Sequence, residues 1–282
     1  MSAAASLSDL AAIPRERAEG AVRLSFRERA GKTALATLYQ KGCLKARFPR
    51  PERADWPETL LLNVSGGVAG GDRLSLDISL AEGAHAIIAA PAAERFYRAL
   101  ALDVPARVAN TMTLAPGAHL DWLPQESILF NGCALSRGTT ISLAGDAVFV
   151  GVEMLIFGRA AMGEHLQSGD IRDVFRIYRD GRLQLYEATR LAGDITATLR
   201  GRATGGGAAG TALLVYAGNA ARARLETLRD TLAGIDAGVS LVLPDLLLAR
   251  ILAPDTLLLR RAVMMGLQVL RDGRTPPRVW QG

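Results

Sequence analysis

Four acidic side chains in unusual settings are the first candidates for chemistry in this 282-residue chain. They are Asp72 after a glycine-rich segment, Glu126 after Trp-Leu-Pro-Gln, Glu153 within an apolar run and Glu164 after Met-Gly, with His165 directly following. Carboxylate oxygens bind divalent cations more weakly than a closed site of soft ligands does. A buried carboxylate otherwise needs a hydrogen-bonding partner, because burying an unpaired charge is costly. Each acid could therefore hold a passing cation or stabilise its own turn.

Three segments carry most of these residues. They are Asn63-Val-Ser-Gly-Gly-Val-Ala-Gly-Gly-Asp72, Trp122-Leu-Pro-Gln-Glu-Ser-Ile-Leu-Phe-Asn-Gly132 and Phe157-Gly-Arg-Ala-Ala-Met-Gly-Glu164. The first contains Gly66, Gly67, Gly70 and Gly71, which predict a tight turn with positive φ at several glycines. We expect Asp72 to hydrogen-bond the backbone of this turn. No Gly-Lys-Ser/Thr ending follows, and the next segment has the pattern of a strand, so a phosphate-binding loop is not predicted.

The third segment combines a cation with an anion. Arg159 can pair with Glu164 and so stabilise a turn that includes Gly163. Elsewhere the chain has no His-Glu-x-x-His motif, and no nucleophile, base and acid can be recognised as a catalytic group. The sequence therefore predicts a protein that is not an enzyme. One alternative stays open, a β-solenoid carbohydrate-active enzyme that uses two of the four acids as a pair.

The composition narrows the class of partner and compartment. The net charge is +5, but lysine occurs only at Lys32, Lys41 and Lys45, and the arginines are dispersed, so a nucleic-acid partner is not expected. The two cysteines favour a reducing compartment and a cytoplasmic protein. No stretch approaches the roughly 18 apolar residues that a membrane span needs, so no membrane partner is expected either.

A repeat in the middle of the chain predicts its architecture. Asp77-Ile-Ser-Leu-Ala-Glu-Gly-Ala-His85 resembles the segments that begin at Thr111 and Thr140, with Leu80, Leu114 and Leu143 in equivalent positions. Each copy alternates apolar and polar residues, the pattern of a half-buried strand. Self-similarity at such a period favours stacked units. The fold class predicted is mainly β, a spiralling, β-helix-like stack of mixed sheets with two α-helices near the C-terminus.

The last quarter of the chain has helical composition. Helices are predicted at about 220–233 and 255–271, and Asp255 is positioned to cap the second. The second is more apolar than one buried face requires. A polar side with two methionines predicts an adaptable docking patch, although a fully buried core helix would also explain the leucines. The patch comprises Arg260, Arg261, Met264, Met265 and Gln268. Residues 1–20 are predicted to form a flexible tail, and residues 21–282 a single domain.

Together, the three segments in this order resemble the UreD (also called UreH) family of urease accessory proteins. The likeness runs from about Arg23 to Trp280; one departure is Asn131, where the family usually has aspartate. It implies a non-enzymatic protein that binds apo-urease and UreF, and through UreF the nickel carrier UreG. It further implies contact of the C-terminal helical region with UreF, and a carboxylate-lined passage for transient Ni²⁺ with no permanently bound cofactor. The implied passage residues are Asp72, Glu126, Glu153, Glu164 and His165.

Overall fold

The computed structural model describes residues 16–49, 56–100 and 103–281. The strands are β1 (Glu19–Arg29), β2 (Lys32–Gly42), β3 (Leu44–Arg47), β4 (Glu58–Asn63), β5 (Arg73–Leu80), β6 (His85–Ala89), β7 (Glu94–Phe96), β8 (Ala106–Leu114), β9 (His119–Leu123), β10 (Ser127–Leu129), β11 (Ala134–Leu143), β12 (Val148–Arg159), β13 (Glu164–His165), β14 (Asp170–Arg179), β15 (Arg182–Ala192), β16 (Gly210–Ala217), β17 (Ala237–Leu243) and β18 (Leu246–Ala253). The helices are α1 (Ile195–Arg200), α2 (Ala221–Thr231) and α3 (Thr256–Leu270). Most of the predicted tail lies outside the described residues.

Two mixed sheets form the body of the molecule. The first sheet has the strand order β15-β14-β11-β8-β5-β1-β2. The second has the order β17-β18-β16-β12-β9-β6-β4-β3, and β10 joins it between β7 and the far half of β12. The chain crosses between the sheets repeatedly, so β5, β8, β11 and β14 are parallel neighbours in the first sheet while β6, β9 and β12 are parallel in the second.

The sequence repeat corresponds to this parallel stacking. Leu80 lies beside Leu114, and Leu114 beside Leu143, in consecutive strands of the first sheet. The parallel strands occupy the middle of each sheet, whereas antiparallel pairs such as β1–β2, β14–β15 and β16–β18 flank them. The prediction of a mainly β chain with mixed sheets is confirmed; a β-helix-like stack is not.

Three layers result from the way the apolar faces are buried. Inward side chains of the two sheets meet in one core, which includes the fully buried Leu24, Met112 and Phe149. A second core lies between the other face of the second sheet and the helices, and includes Leu259 and Val263 of α3. These cores fix the sheets against each other and α3 against the second sheet.

Both predicted C-terminal helices are present, within a few residues of their expected ends. Asp255 caps α3 as expected, because its carboxylate accepts a hydrogen bond from the Leu258 amide at 2.8 Å. The short helix α1 was not predicted. Asp180-Gly181, a pair that favours a type I′ turn, joins β14 and β15 in a hairpin, with φ values of 49° at Asp180 and 76° at Gly181. No helix within the described ranges is long and apolar enough to cross a membrane.

Candidate functional site

The glycine-rich segment forms a turn that Asp72 holds together. One carboxylate oxygen of Asp72 accepts from the Ala69 amide at 2.7 Å, and the other accepts from the Ala18 amide at 2.8 Å. Asp72 is buried, and its bond from the Ala18 amide ties the turn to the chain that enters β1. Its oxygens are occupied by backbone donors, which is the arrangement expected of a structural residue.

Positive φ is required at three of the four glycines in this turn. The φ values are 81° at Gly66, 146° at Gly67 and 85° at Gly71. Gly70 does not adopt positive φ, but a Cβ there would lie 2.8 Å from the Cβ of Asp103. Valine at Gly71 would be strained by the backbone conformation, whereas valine at Gly70 would collide with a neighbour. We expect either change to prevent soluble folding. Soluble, active variants with an unchanged melting temperature would show that the turn does not require glycine at these positions.

Glu164 lies on a surface turn and pairs with Arg159. The Arg159 Nε donates to Glu164 Oε2 at 2.6 Å, and Gly163 in between has a φ of 71°. The Arg159 guanidinium also lies over the Phe130 ring, 4.1 Å from its centroid. His165 is exposed. The geometry therefore gives Arg159 and Glu164 a role in holding this turn.

Asn131, the departure from the family pattern, also has a turn role. Its side-chain oxygen accepts from the amides of Gln167 and Ser168, each at 3.0 Å. An amide oxygen accepts such bonds as a carboxylate oxygen would. Asn131 thus supplies, without a charge, the acceptor that holds the two loops together.

Glu126 is half-buried and faces the end of the chain. Its carboxylate lies 3.6 Å from Arg260 Nη1, and the same nitrogen donates to Gln125 Oε1 at 2.6 Å. The Arg260 guanidinium lies 5.0 Å from the ring centroid of the buried Trp280. Glu126 and Arg260 thus belong to the contact that holds the C-terminal segment against the second sheet.

Glu153 is the predicted acid with the most unusual environment. Glu153 Oε2 lies 2.6 Å from Arg137 Nη2, and Glu153 Oε1 accepts from Thr139 at 3.1 Å. The Arg137 Nε also donates to Asp173 Oδ1 at 2.9 Å. We call Arg137, Glu153 and Asp173 the shared-arginine cluster, because one guanidinium serves two carboxylates.

The shared-arginine cluster carries an excess of negative charge in a buried place. Burial raises the pKa of Glu153 to about 7, although the Arg137 charge opposes the shift; Asp173 adds to it by repulsion. The two carboxylates in turn raise the pKa of Arg137, so the guanidinium stays charged. Glu153 thus changes its protonation near neutral pH, unlike an ordinary glutamate.

Glu153 lines two cavities. One, of about 310 Å³, extends from the glycine-rich turn at Gly66 and Gly67 to Arg137 and Glu153. The other, of about 70 Å³, is lined by Glu153, Asp173, Glu187 and Arg250 among others. Of the five predicted passage residues, Glu153 alone lines either cavity. The larger cavity also holds Glu94, whose pKa is raised by burial and which accepts from Asn63 Nδ2.

A second buried ion cluster, formed by Asp121, His119, Arg271 and Arg274, was missed by sequence reasoning. Asp121 accepts from Arg271 Nε at 2.8 Å and from Arg274 Nη1 at 2.9 Å, and lies 3.1 Å from His119 Nε2. Burial alone would raise the pKa of Asp121, but the bond to His119 and the two arginines lower it to about 2. We call this the Asp121 cluster. It fastens the segment after α3 to β9.

The repeated histidines come together as the repeat predicts. His85 and His119 lie side by side in parallel strands, with ring centroids 6.3 Å apart, and Trp56 contacts both rings. Across the described ranges, no group of three or more His, Cys, Asp or Glu side chains is arranged to hold a metal ion. The Arg274 guanidinium lies over the Trp56 ring, 4.0 Å from its centroid.

The exposed side of α3 differs in part from the predicted docking patch. Arg260 is turned toward Gln125 and Trp280, and Met264 packs half-buried against the helical core. Arg261, Met265 and Gln268 are exposed. Leu257 and Leu258, which the core-helix alternative would bury, are 75% and 47% exposed. A stripe of Leu257, Arg261, Met265 and Gln268 follows helical spacing, and we call it the α3 stripe.

Comparison with known proteins identifies the family. The family model of the UreD urease accessory protein matches residues 18–281. This chain belongs to the UreD family. It is 45% identical over 268 residues to "Urease accessory protein UreD" of Dinoroseobacter shibae, covering 94% of this chain and 93% of the relative. It is 38% identical over 272 residues to the protein of that name from Chelativorans sp. strain BNC1 and 42% identical over 274 residues to that of Sinorhizobium medicae, with at least 96% of each chain covered.

Membership in the UreD family favours the urease accessory role over the carbohydrate-active enzyme, the two functions that the sequence left open. The relatives are named as accessory proteins to urease, which agrees with a maturation role without an enzymatic reaction. A carbohydrate-active enzyme would need two of the four acids beside one substrate. Asp72 instead accepts from backbone amides, Glu126 lies 3.6 Å from Arg260, and Glu164 and Glu153 pair with Arg159 and Arg137.

Proposed function

We propose that this UreD-family chain bridges apo-urease to a UreF–UreG assembly and passes Ni²⁺ toward the urease active site between its two sheets. The observation that carries the passage is that Glu153 lines a cavity on either side of the shared-arginine cluster, the larger with Arg137 and the smaller with Asp173. Membership in a family of urease accessory proteins supports the wider role. The work would take place in the cytoplasm, whose reducing conditions would keep Cys43 and Cys133 as the free thiols that they are here.

The shared-arginine cluster would act as the passing point for the cation. Two carboxylates with one guanidinium leave one negative charge when all three are ionised, and oxygen ligands suit a transient divalent ion. A cation entering the larger cavity would compete with Arg137 for the Glu153 carboxylate. Because Arg137 stays beside Asp173, it could reclaim Glu153 after the ion leaves, so the site would release nickel rather than trap it.

The α3 stripe is the proposed UreF contact. Leu257 and Met265 expose apolar area at one helix face, and Arg261 and Gln268 supply polar neighbours. Such a mixture of apolar anchors with a polar rim is typical of protein interfaces. UreG would be recruited through UreF, and the rest of the surface would remain available to apo-urease.

The passage is tested by Glu153→Gln in nickel-dependent activation of apo-urease with UreF and UreG. The variant keeps a hydrogen-bonding group of the same size but removes the charge that attracts the cation. We expect urease activation to slow several-fold while binding to UreF and apo-urease is unchanged. Glu226→Gln, on the exposed face of α2, is the matched control. A folded Glu153→Gln protein that activates urease at the normal rate would exclude this passage.

The docking surface is tested by Leu257→Asp with Met265→Asp in pull-downs against UreF and apo-urease separately. Introducing two carboxylates into an apolar contact should abolish capture of UreF and leave capture of urease intact. Leu183→Asp with Val242→Asp, which also charges two exposed apolar positions, serves as the control. Normal UreF capture by the α3 variant, with circular dichroism showing a native fold, would move the interface elsewhere.

A further inference from the structure

Three arginines form a row across the outer face of the first sheet. Arg73 in β5 lies directly beside Arg107 in β8; Ser136 in β11 follows, and then Arg172 in β14. All three arginines are exposed. With strands about 4.8 Å apart, Arg73 and Arg172 are separated by about 14 Å. This meeting agrees with the repeat, since Arg73 and Arg107 precede the equivalent Leu80 and Leu114 by the same interval.

The fold itself does not neutralise this row. In the part of the chain that the structure describes, the side chains of Arg73, Arg107 and Arg172 form no ion pair or hydrogen bond; Arg190, next along the row, pairs with Asp170. Like charges placed directly opposite each other on a sheet are unfavourable. Arg73 and Arg107 therefore add repulsion without a compensating partner in the described chain, which is the charge pattern of a surface that binds an anion.

A trough runs beside the arginine row. Two residues further along the strands, the outward positions are the small Ser75, Ala109 and Gly138. Two residues further again, Arg176 forms part of the opposite wall, in a row with Thr140, Thr111 and Asp77, and the Asp77 carboxylate lies 3.9 Å from Arg23 Nε. At about 3.3 Å per residue the walls are about 13 Å apart, close to the diameter of an α-helix. The depression has a volume of about 590 Å³.

We propose that this trough binds an acidic α-helix of a partner protein, with carboxylates of the helix pairing with Arg73, Arg107 and Arg172. Glutamates at positions i, i+4, i+7 and i+11 of a helix extend over about 16 Å, which is enough to span the row of about 14 Å. The small floor residues allow the helix backbone to approach the sheet. The depression shares Leu74, Ser75, Val108 and Arg137 with the lining of the larger cavity. The arginine row itself lies on the outer face of the first sheet and takes no part in the proposed passage or the α3 stripe, so the inference goes beyond the proposed function.

The same face is poorly suited to single-stranded nucleic acid. Such partners generally need aromatic side chains on which bases stack. The trough floor carries serine, alanine, glycine and Val174, and the nearest exposed aromatic, Tyr186, is covered by Arg176 at 5.1 Å from its ring centroid. Charge complementarity combined with a helix-sized, non-aromatic floor therefore favours an acidic helix.

The test uses the full chain and a labelled synthetic helix. The probe is a fluorescein-labelled, alanine-based helical peptide with glutamates along one face, compared with the same peptide carrying glutamines and with a single-stranded DNA of equal charge. Fluorescence anisotropy at two salt concentrations measures each affinity. The test variant replaces Arg73, Arg107 and Arg172 with glutamine; the control variant replaces the exposed Arg200, Arg202 and Arg222 and has the same net charge.

We expect the acidic peptide to bind wild type, and the test variant to bind it at least tenfold more weakly, while the control variant stays within twofold. The melting temperature of the test variant should equal or exceed that of wild type, because mutual repulsion is relieved. Equal weakening in both variants, comparable binding of the glutamine peptide, or no binding at all would overturn the proposal. Tighter binding of the DNA, lost in the test variant, would replace the helix with a nucleic acid. Arg107→Gln alone gives the same readout should the triple variant not fold.

Discussion

The Asp121 cluster and the shared-arginine cluster are both buried, yet they combine charges in opposite proportions. Asp121 faces two arginines and a histidine, and its pKa falls to about 2. Glu153 and Asp173 divide one arginine, and the pKa of Glu153 rises to about 7. A carboxylate with surplus cations is fixed in one charge state, whereas one with too few can still take up a proton or another cation. The two clusters thus differ in their ratio of cations to carboxylates rather than in burial. This ratio distinguishes the Asp121 cluster, which holds the segment after α3, from the candidate passage at Glu153.

The largest expected effect is that of Asp121→Asn. It leaves Arg271, which is only 2% exposed, without its charged partner, and breaking such a buried pair costs about 4 kcal/mol. Chemical denaturation at pH 7 measures the loss, with the exposed Asp230→Asn as control. A loss below about 1 kcal/mol would remove the distinction between the two clusters.

The same carboxylate also predicts a pH dependence. Because the folded-state pKa of Asp121 is lowered, its contribution is complete above the unfolded value of 3.8 and is lost as pH falls toward about 2. A shift of this size corresponds to about 2 kcal/mol. The difference in stability between wild type and Asp121→Asn should therefore shrink below pH 4.

Arg137→Gln should have the next largest effect, about 3 kcal/mol at pH 8, because it leaves Glu153 and Asp173 buried without their cation. At pH 5 the loss should be smaller, since Glu153 can then be protonated. Melting temperatures at the two pH values test this. An equal loss at both would mean that the two carboxylates do not share the arginine's charge.

Glu153→Gln should change stability by no more than about 2 kcal/mol in either direction, and its sign should depend on pH, since the pKa shift corresponds to a total change of about 3 kcal/mol. A glutamate whose folded-state pKa is raised from 4.5 to about 7 makes a contribution that is complete below pH 4.5 and lost as pH rises through 7. Glutamine does not titrate, so it does not have this loss. The stability of the variant relative to wild type should therefore rise between pH 5 and pH 8. A constant difference across this range would contradict the raised pKa.

The smallest effect is expected for Glu164→Gln. Its ion pair with Arg159 is solvent-exposed, and exposed pairs contribute little. The melting temperature should not change measurably at either low or high salt. A clear, salt-sensitive drop in melting temperature would mean that this exposed ion pair contributes to stability as the buried Asp121 cluster does.

Local sequence patterns predicted the elements but not their long-range pairs. The equivalence of Leu80, Leu114 and Leu143 anticipated the stacked strands, and Asp180-Gly181 the hairpin, because strand alternation and turn conformation depend on neighbouring residues. The link between Asp121 and Arg271 joins positions 150 residues apart, and no periodicity encodes it. The exposure of Leu257 likewise depends on which face of α3 meets the second sheet, which composition alone leaves open.

The crossing of the chain between two sheets has a consequence for folding kinetics. Parallel neighbours in the first sheet are separated along the chain by a strand of the second, and the Trp280 indole donates to the Leu123 carbonyl across 157 residues. Topologies dominated by such distant contacts close large loops before gaining stability and fold in milliseconds to seconds or more slowly. We therefore expect slow refolding, with docking of the segment after α3 among the last steps, and open strand edges exposed to association until then.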